Sequence, residues 1–256
     1  AAAVKAVIDA EADTGNAINL DTDFLVTITP AGTAAATDLS GINDATSNLI
    51  TATNVTEITG TVAAVKAVTD AEGDTGNAIN LDSDFTITLA TGTAAVTDLT
   101  ALNTATNGNI DAQNITGLTG TASAINTFIT TEQSDAGNGV NLDTDFTATV
   151  SDTDTVATHL STLNGNMAGL ITATNVTNLT GTISEVKAVT DAEGDTGNAI
   201  NLDTDFTAVV SDTGSVAASD LTAVSLKTTG NITATGVTTI TGTANQIATL
   251  IGDEAD

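Results

Sequence analysis

The sequence predicts a repeat solenoid of short parallel strands and short helices, with about two coils to each 61-residue repeat. The first observation behind this is near-verbatim recurrence. NAINLDTDF at Asn16 to Phe24 returns as NAINLDSDF at Asn77 to Phe85, NGVNLDTDF at Asn138 to Phe146 and NAINLDTDF at Asn198 to Phe206, in steps of 61, 61 and 60 residues. A fixed period of this size marks units that bury their apolar faces against neighbouring units. The second observation is that the apolar period changes from two to about three within each repeat. The third is composition: 41% of the residues are hydrophobic, yet there are five Phe and no Trp or Tyr, which suits a thin aliphatic core.

Within the second repeat, Asp70 to Asn77 (DAEGDTGN) is polar and contains Gly, and reads as a loop. Ile79 to Leu89 follows as a half-buried strand, with Phe85, Ile87 and Leu89 alternating against polar residues. Gly92 to Leu102 places Val96, Leu99 and Leu102 three apart behind Thr93 and an Ala-rich run, so a short helix with a Thr N-cap is expected. Asn109 to Leu118 is a second strand with Ile110, Ile115 and Leu118 inward, and Ala122 to Thr130 a second helical run. The alternative is an all-β solenoid with three coils of about 20 residues per repeat, in which the Ala-rich runs are extended and the Thr and Val content supplies the strands.

The turn Ile/Leu-Thr-Gly-Thr at 58–61, 118–121, 179–182 and 240–243 keeps this register throughout. The chain therefore reads as one continuous array over residues 1–256, with units near 9–69, 70–130, 131–190 and 191–251. Its opening, AAAVKAV, aligns with residues 62–68, and Thr243 to Ile251 aligns with Thr61 onward, so a segment of a longer array is expected.

The 32 acidic residues face four Lys and no Arg, a formal charge of −28. Repulsion on this scale calls for external cations and disfavours nucleic acid and anionic membrane as partners. No apolar run reaches the roughly 20 residues of a membrane span, so no membrane insertion is expected. The absence of Cys excludes a disulfide framework and is compatible with secretion.

Hard oxygen ligands at alternate positions beside Gly suit Ca²⁺. The candidate metal ligands are Asp70, Glu72, Asp74, Asp82 and Asp84, with the equivalents Asp9, Glu11, Asp13, Asp21 and Asp23, then Asp191, Glu193, Asp195, Asp203 and Asp205, and in the third repeat Glu132, Asp135, Asp143 and Asp145. The pattern is neither an EF-hand loop nor the Gly-rich calcium nonapeptide. The competing reading is a solvated acidic surface that keeps the array soluble.

Asn54, Asn114 and Asn175 form a column that ends in Gly236, and read either as N-glycosylation acceptors, as do Asn178 and Asn231, or as a ladder satisfying backbone groups at a corner. Phe24, Phe85, Phe146 and Phe206 read as a core ladder. The single His159 replaces an acid found at Asp38, Asp98 and Asp220. Carboxylate pairs such as Asp82 and Asp84 recur in every repeat with no His, Arg or aromatic cleft beside them, so no enzyme is expected.

The segments ITGTVAAVKAV (58–68), SDTGSVAASDLTAV (211–224) and NITATGVTTITGTANQIATLI (231–251) resemble the Thr/Ala/Asp-rich repeats of giant cell-surface proteins of marine cyanobacteria and other marine bacteria. The resemblance spans the chain. It implies an extracellular structural protein of adhesin, surface-layer or swimming-related type, with calcium dependence common among such proteins. The expected partners are other copies or neighbouring repeats of the same protein, and surface polysaccharide. Coils about 4.8 Å apart would then stack into a filament segment roughly 40 to 60 Å long. A second expectation is a binding module that recognises carbohydrate, mineral or ice through outward rows such as Thr51, Thr53 and Thr56, or Thr172, Thr174 and Thr177.

Overall fold

The computed structural model describes residues 1–11, 18, 20–29, 31–72, 78–134, 139–193 and 199–253. The chain is an α/β fold whose sheets are all parallel and whose described residues include nine helices. It packs as two compact units, residues 1–116 with 131–143, and residues 117–130 with 144–256.

The first unit runs α1 (Ala2–Glu11), β1 (Val26–Thr27), β2 (Gly32–Ala35), α2 (Ala36–Ala45), β3 (Ile50–Thr51), β4 (Val55–Gly60), α3 (Val62–Glu72), β5 (Ile79–Asn80), β6 (Thr86–Leu89), β7 (Gly92–Ala95), α4 (Val96–Ala105) and β8 (Ile110–Ala112). After β9 (Ile115–Gly120) and α5 (Ala122–Ser134), which straddle the two units, it gains β10 (Val140–Leu142). One sheet is ordered β1-β3-β5 and another β2-β4-β6-β8-β10. Their registers align inward aliphatics: Val26 with Ile50 and Ile79 in the first, Ala34 with Ile58, Ile87, Ile110 and Val140 in the second.

The second unit continues through β11 (Thr147–Val150), β12 (Asp154–Val156), α6 (Ala157–Asn166), β13 (Ile171–Ala173), β14 (Asn178–Gly181), α7 (Ile183–Asp191), β15 (Ile200–Leu202), β16 (Thr207–Val210), β17 (Ser215–Ala217), α8 (Ala218–Ser225), β18 (Ile232–Thr233), β19 (Thr239–Thr241) and α9 (Ala244–Asp253). Here Leu118, Ala148, Ile171 and Ile200 line up across β9, β11, β13 and β15; Thr155, Leu179, Ala208 and Ile232 across β12, β14, β16 and β18; and Val216 meets Ile240 across β17 and β19.

Partners in every ladder lie 23 to 30 positions apart in sequence. Parallel pairing needs a crossover of that order, and the helices supply it. In strands such as β11 only one face is buried: Thr147–Val150 alternates exposed and buried along its length. Leu39, Ile42, Leu99 and Leu102 in the first unit, and Leu160, Leu163 and Val186 in the second, are fully buried on the helix side of these aliphatic ladders.

Three local expectations are corrected. Ile79 to Leu89 is two strands, because the chain turns at Asp82–Asp84, where the Asp82 carboxylate accepts the Ser83 N–H at 2.8 Å. Asn109 to Leu118 likewise breaks at Gln113–Asn114 into β8 and β9. The Ala-rich Gly92–Ala95 is strand β7, and α4 starts only at Val96 with Ala95 as an extended N-cap residue that makes no side-chain bond. At the equivalent β2, ladder pairing of Ala34 with Ile58 outweighs the helix preference of Ala, which is a weak prior beside tertiary hydrogen bonds. The Thr cap is found instead on the other helices: Thr182 and Glu185 form a reciprocal capping box on α7, and Thr61 and Thr121 accept from the N–H groups of Ala64 and Ala124.

Candidate functional site

The first acids of the candidate metal set are helical, not in loops. Asp9, Asp70 and Asp191 sit in the last turns of α1, α3 and α7, and each takes the ammonium of the Lys one turn earlier: Lys5 at 2.6 Å, Lys66 at 2.7 Å and Lys187 at 2.6 Å. These bonds hold the Lys66 and Lys187 ammonium groups above their ordinary pKa; Asp98 on α4 and Asp220 on α8 add weaker attraction to the same two cations. In the third repeat both charges vanish together. Asn126 stands in the Lys column, His159 in the Asp column, and the Asn126 amide donates to the His159 carbonyl at 2.8 Å. His159 is thus part of a helix-to-helix contact.

Several of the remaining described acids bind local backbone. The carboxylates of Asp21, Asp82 and Asp203 each accept the N–H of the next residue at 2.7 to 2.8 Å. Glu132 accepts from the Val140 N–H at 2.6 Å and from Asn103. Glu72 is partly buried; burial raises its pKa, and a hydrogen bond from the Leu81 backbone opposes that rise. Asp23, Asp84, Asp143, Asp145 and Asp205 are exposed, and Glu193 is half-buried just past α7. Among the described residues no three His, Asp or Glu come together as a metal-binding group. Glu11 has its backbone alone described, and Asp13, Asp74, Asp135 and Asp195 lie outside the described residues.

The Asn column makes the corner ladder. Asn54, Asn114 and Asn175 donate their side-chain amides to the carbonyls of Ile28, Leu89 and Val150 at 3.2 to 3.3 Å, joining chain segments about 25 residues apart. At the fourth site a Cβ on Gly236 would crowd the Asp212 carbonyl at 2.7 Å. Phe85, Phe146 and Phe206 are buried core, whereas Phe24 is half-buried.

A second corner escaped the sequence reading. The hydroxyls of Thr46, Thr106 and Thr228 donate to the carbonyls of Phe24, Phe85 and Phe206, and accept in turn from the N–H two residues on. Gly108, Gly169 and Gly230 pass so close to the Phe carbonyls that a Cβ would collide with them. The signal was present as a residue pair, Thr-x-Gly, 21 or 22 positions after Phe85 and Phe206, with Thr46-Ser47-Asn48 as the first-repeat variant and Met167-Ala-Gly169 as the third-repeat variant.

The outward sheet positions carry hydroxyls in register. Thr119, Thr149 and Thr172 lie side by side and continue into Asn201, and Thr27 and Thr51 continue into Asn80. Of the other expected Thr positions, Thr53 and Thr174 sit at turns; Thr56 and Thr177 accept, through their carbonyls, the hydroxyls of Thr86 and Thr207. Glu57 interrupts one face: its two carboxylate oxygens take the Thr33 hydroxyl at 2.6 Å and the Thr88 hydroxyl at 2.7 Å from the flanking strands, which lowers its pKa.

No helix of the described residues is long and apolar enough to cross a membrane. No family model matches the chain, and the comparisons with curated proteins and with solved structures return no match.

Proposed function

We propose that this chain is a structural, non-enzymatic solenoid segment of an extracellular or cell-surface protein, where repetition of the 61-residue unit supplies an extended anionic surface layer, adhesin or filament. The observation that carries the reading is the coincidence of two periodicities. The sequence repeats every 60 or 61 residues, and inward aliphatics meet across parallel strands every 23 to 30 residues. Each repeat then contributes two coils, and its apolar face is covered by adjacent repeats. Deleting residues 70–129 joins equivalent positions of α3 and α5 and should leave a folded protein with an unchanged far-ultraviolet spectrum per residue. Loss of cooperative folding in that deletion would overturn the solenoid reading. For the location, antibody against the chain should label intact source cells; labelling confined to lysed cells would overturn it.

The charge of −28 motivates calcium as the proposed counter-cation. The test is thermal unfolding with excess Ca²⁺ and with chelator at matched ionic strength. A rise in midpoint specific to Ca²⁺ supports coordination. Equal midpoints favour the solvated acidic coat.

The in-register Thr119, Thr149 and Thr172 hydroxyls favour a second reading, a binding face for polysaccharide, mineral or ice. Adsorption that survives chelation and is lost in a Thr149→Val, Thr172→Val variant would support it.

A further inference from the structure

Asn followed two residues later by Thr is an acceptor sequence for N-linked sugar, and the chain carries it at Asn54, Asn114, Asn175, Asn178 and Asn231. The fold does not leave the five sites equal. Transfer of a sugar uses the side-chain amide nitrogen of Asn as nucleophile and needs the Thr hydroxyl within reach of the enzyme. Asn54, Asn114 and Asn175 have that nitrogen committed to the carbonyls of Ile28, Leu89 and Val150. Thr116 and Thr177 commit their hydroxyls as well, to the carbonyls of Gly92 and Thr153 at 3.3 and 3.1 Å. Asn178 is half-buried on β14 between β12 and β16. Its side-chain oxygen takes the Thr207 hydroxyl at 3.1 Å, and the Thr180 hydroxyl donates to the Thr155 carbonyl at 3.3 Å. A sugar on any of these four would open a contact between segments 24 to 29 positions apart in the chain.

Asn231 has no such commitment. Asn231 and Thr233 are both exposed, and neither side chain makes a hydrogen bond among the described residues. The backbone is nevertheless held, because the Asn231 carbonyl accepts the Ala208 N–H at 2.9 Å. Half-buried Ile232 opens β18, and strand alternation places Asn231 and Thr233 together on its other face. Gly230 just before them can carry no side chain, since a Cβ there would collide with the Phe206 carbonyl. The exposure is a property of this place in the repeat. At the equivalent Leu49, Asn109 and Leu170 the side chain is exposed too, 42% at Leu49 and 41% at Leu170, although β3, β8 and β13 directly after them are each flanked by two strands.

We infer that Asn231 is a site of N-linked glycosylation and that the other four Asn stay bare in the folded chain. The donor is a sugar carried as a diphosphate ester, and the catalyst is a glycosyltransferase of the source cell. The Asn231 Nδ2 attacks the anomeric carbon, forming the C–N bond as the C–O bond to the diphosphate breaks. The diphosphate carrier leaves with the bonding electrons, and one amide proton passes to a base of the transferase. The inference rests on the cell-surface reading, which makes the chain an exported substrate for such an enzyme.

Peptide mapping by mass spectrometry of the chain purified from its source cells tests this, with fragmentation that keeps the sugar attached and so places the added mass. The expected result is saccharide on Asn231 and none on Asn54, Asn114, Asn175 or Asn178. Thr233→Val should abolish the addition with Asn231 still in place, and Thr233→Ser should retain it. Circular dichroism should show both variants folded like the parent, because the Thr233 side chain holds nothing together. Bare Asn231 in a chain that antibody reaches on intact cells would overturn the site and leave the location standing. Bare Asn231 in a chain found only in lysed cells would overturn both. Sugar on Asn54, Asn114 or Asn175 would overturn the rule that a committed nitrogen is spared.

Discussion

Helices α7 and α9 occupy the same place in the repeat and meet different fates. Each follows a Leu/Ile-Thr-Gly-Thr turn, and Val186 and Val189 of α7 align with Ile247 and Leu250 of α9. Both valines are fully buried, whereas α9 buries nothing. α7 lies between α6 and α8, while α9 packs on α8. Burial here is conferred by a second neighbouring helix, and the side chains on a given helix determine only that it can be buried. Phe85 and Phe24 repeat the lesson in the first unit: the former is 1% exposed, the latter half-buried at an open groove.

The contrast should be largest at the phenylalanines. Phe85→Ala is expected to cost about 3–5 kcal/mol in urea unfolding, and Phe24→Ala clearly less, because the Phe24 site is already open to solvent and leaves no closed cavity. Equal losses would break the comparison. Next come the helices: Val186→Ala should cost about 2 kcal/mol for its two buried methyl groups, against about 0.5 kcal/mol for Ile247→Ala.

Thr182→Ala removes one arm of the α7 capping box and should cost about 1 kcal/mol, while Ala217→Thr at the uncapped start of α8 should gain little. The backbone at Ala217 comes from strand β17, whose ladder bonds with β19 already set the geometry there.

The smallest effects are the pH-dependent ones, at two carboxylates with opposite shifts. Glu57 has a lowered pKa in the folded chain, so it binds protons less readily there than when unfolded. Its contribution is present above the ordinary carboxylate range and is lost as pH falls through the folded value. Glu57→Gln should therefore destabilise at neutral pH, with the difference closing in acid. Glu72 has a raised pKa, so the folded chain favours its protonated form. Its contribution is present below the ordinary range and is lost as pH rises through the folded value. Glu72→Gln should therefore stabilise at neutral pH, again with the difference closing in acid. Urea midpoints of both variants across pH 3 to 7 check the two signs.

Much of the local code was legible. The inward residues of the strands, the Phe column, the Asn corner and the helical character of the Val65–Val68 run all follow from spacing, because each repeats a hydrophobic or hydrogen-bonding requirement at constant offset. The Ala-rich Gly92–Ala95 segment misled, since Ala suits a helix locally and only pairing with a distant strand makes it extended. The acidic positions misled in part for a related reason: Asp70 and Asp191 look like loop ligands until the helix is seen to extend far enough to bring Lys66 and Lys187 within reach, one turn away.

By itself, the sequence determined the period, the apolar columns and the excess of negative charge, all of which are properties of residue identity and spacing. The tertiary structure alone decided where each strand breaks, which helices carry a Thr cap, which acids are already paired and which apolar faces stay open. The strand breaks and the open faces depend on hydrogen bonds and packing between residues some 23 to 30 positions apart, and a backbone group takes its partner from whichever strand the crossover delivers. The caps and ion pairs are local, three or four residues apart, and form only where the helix starts or extends far enough to bring them together.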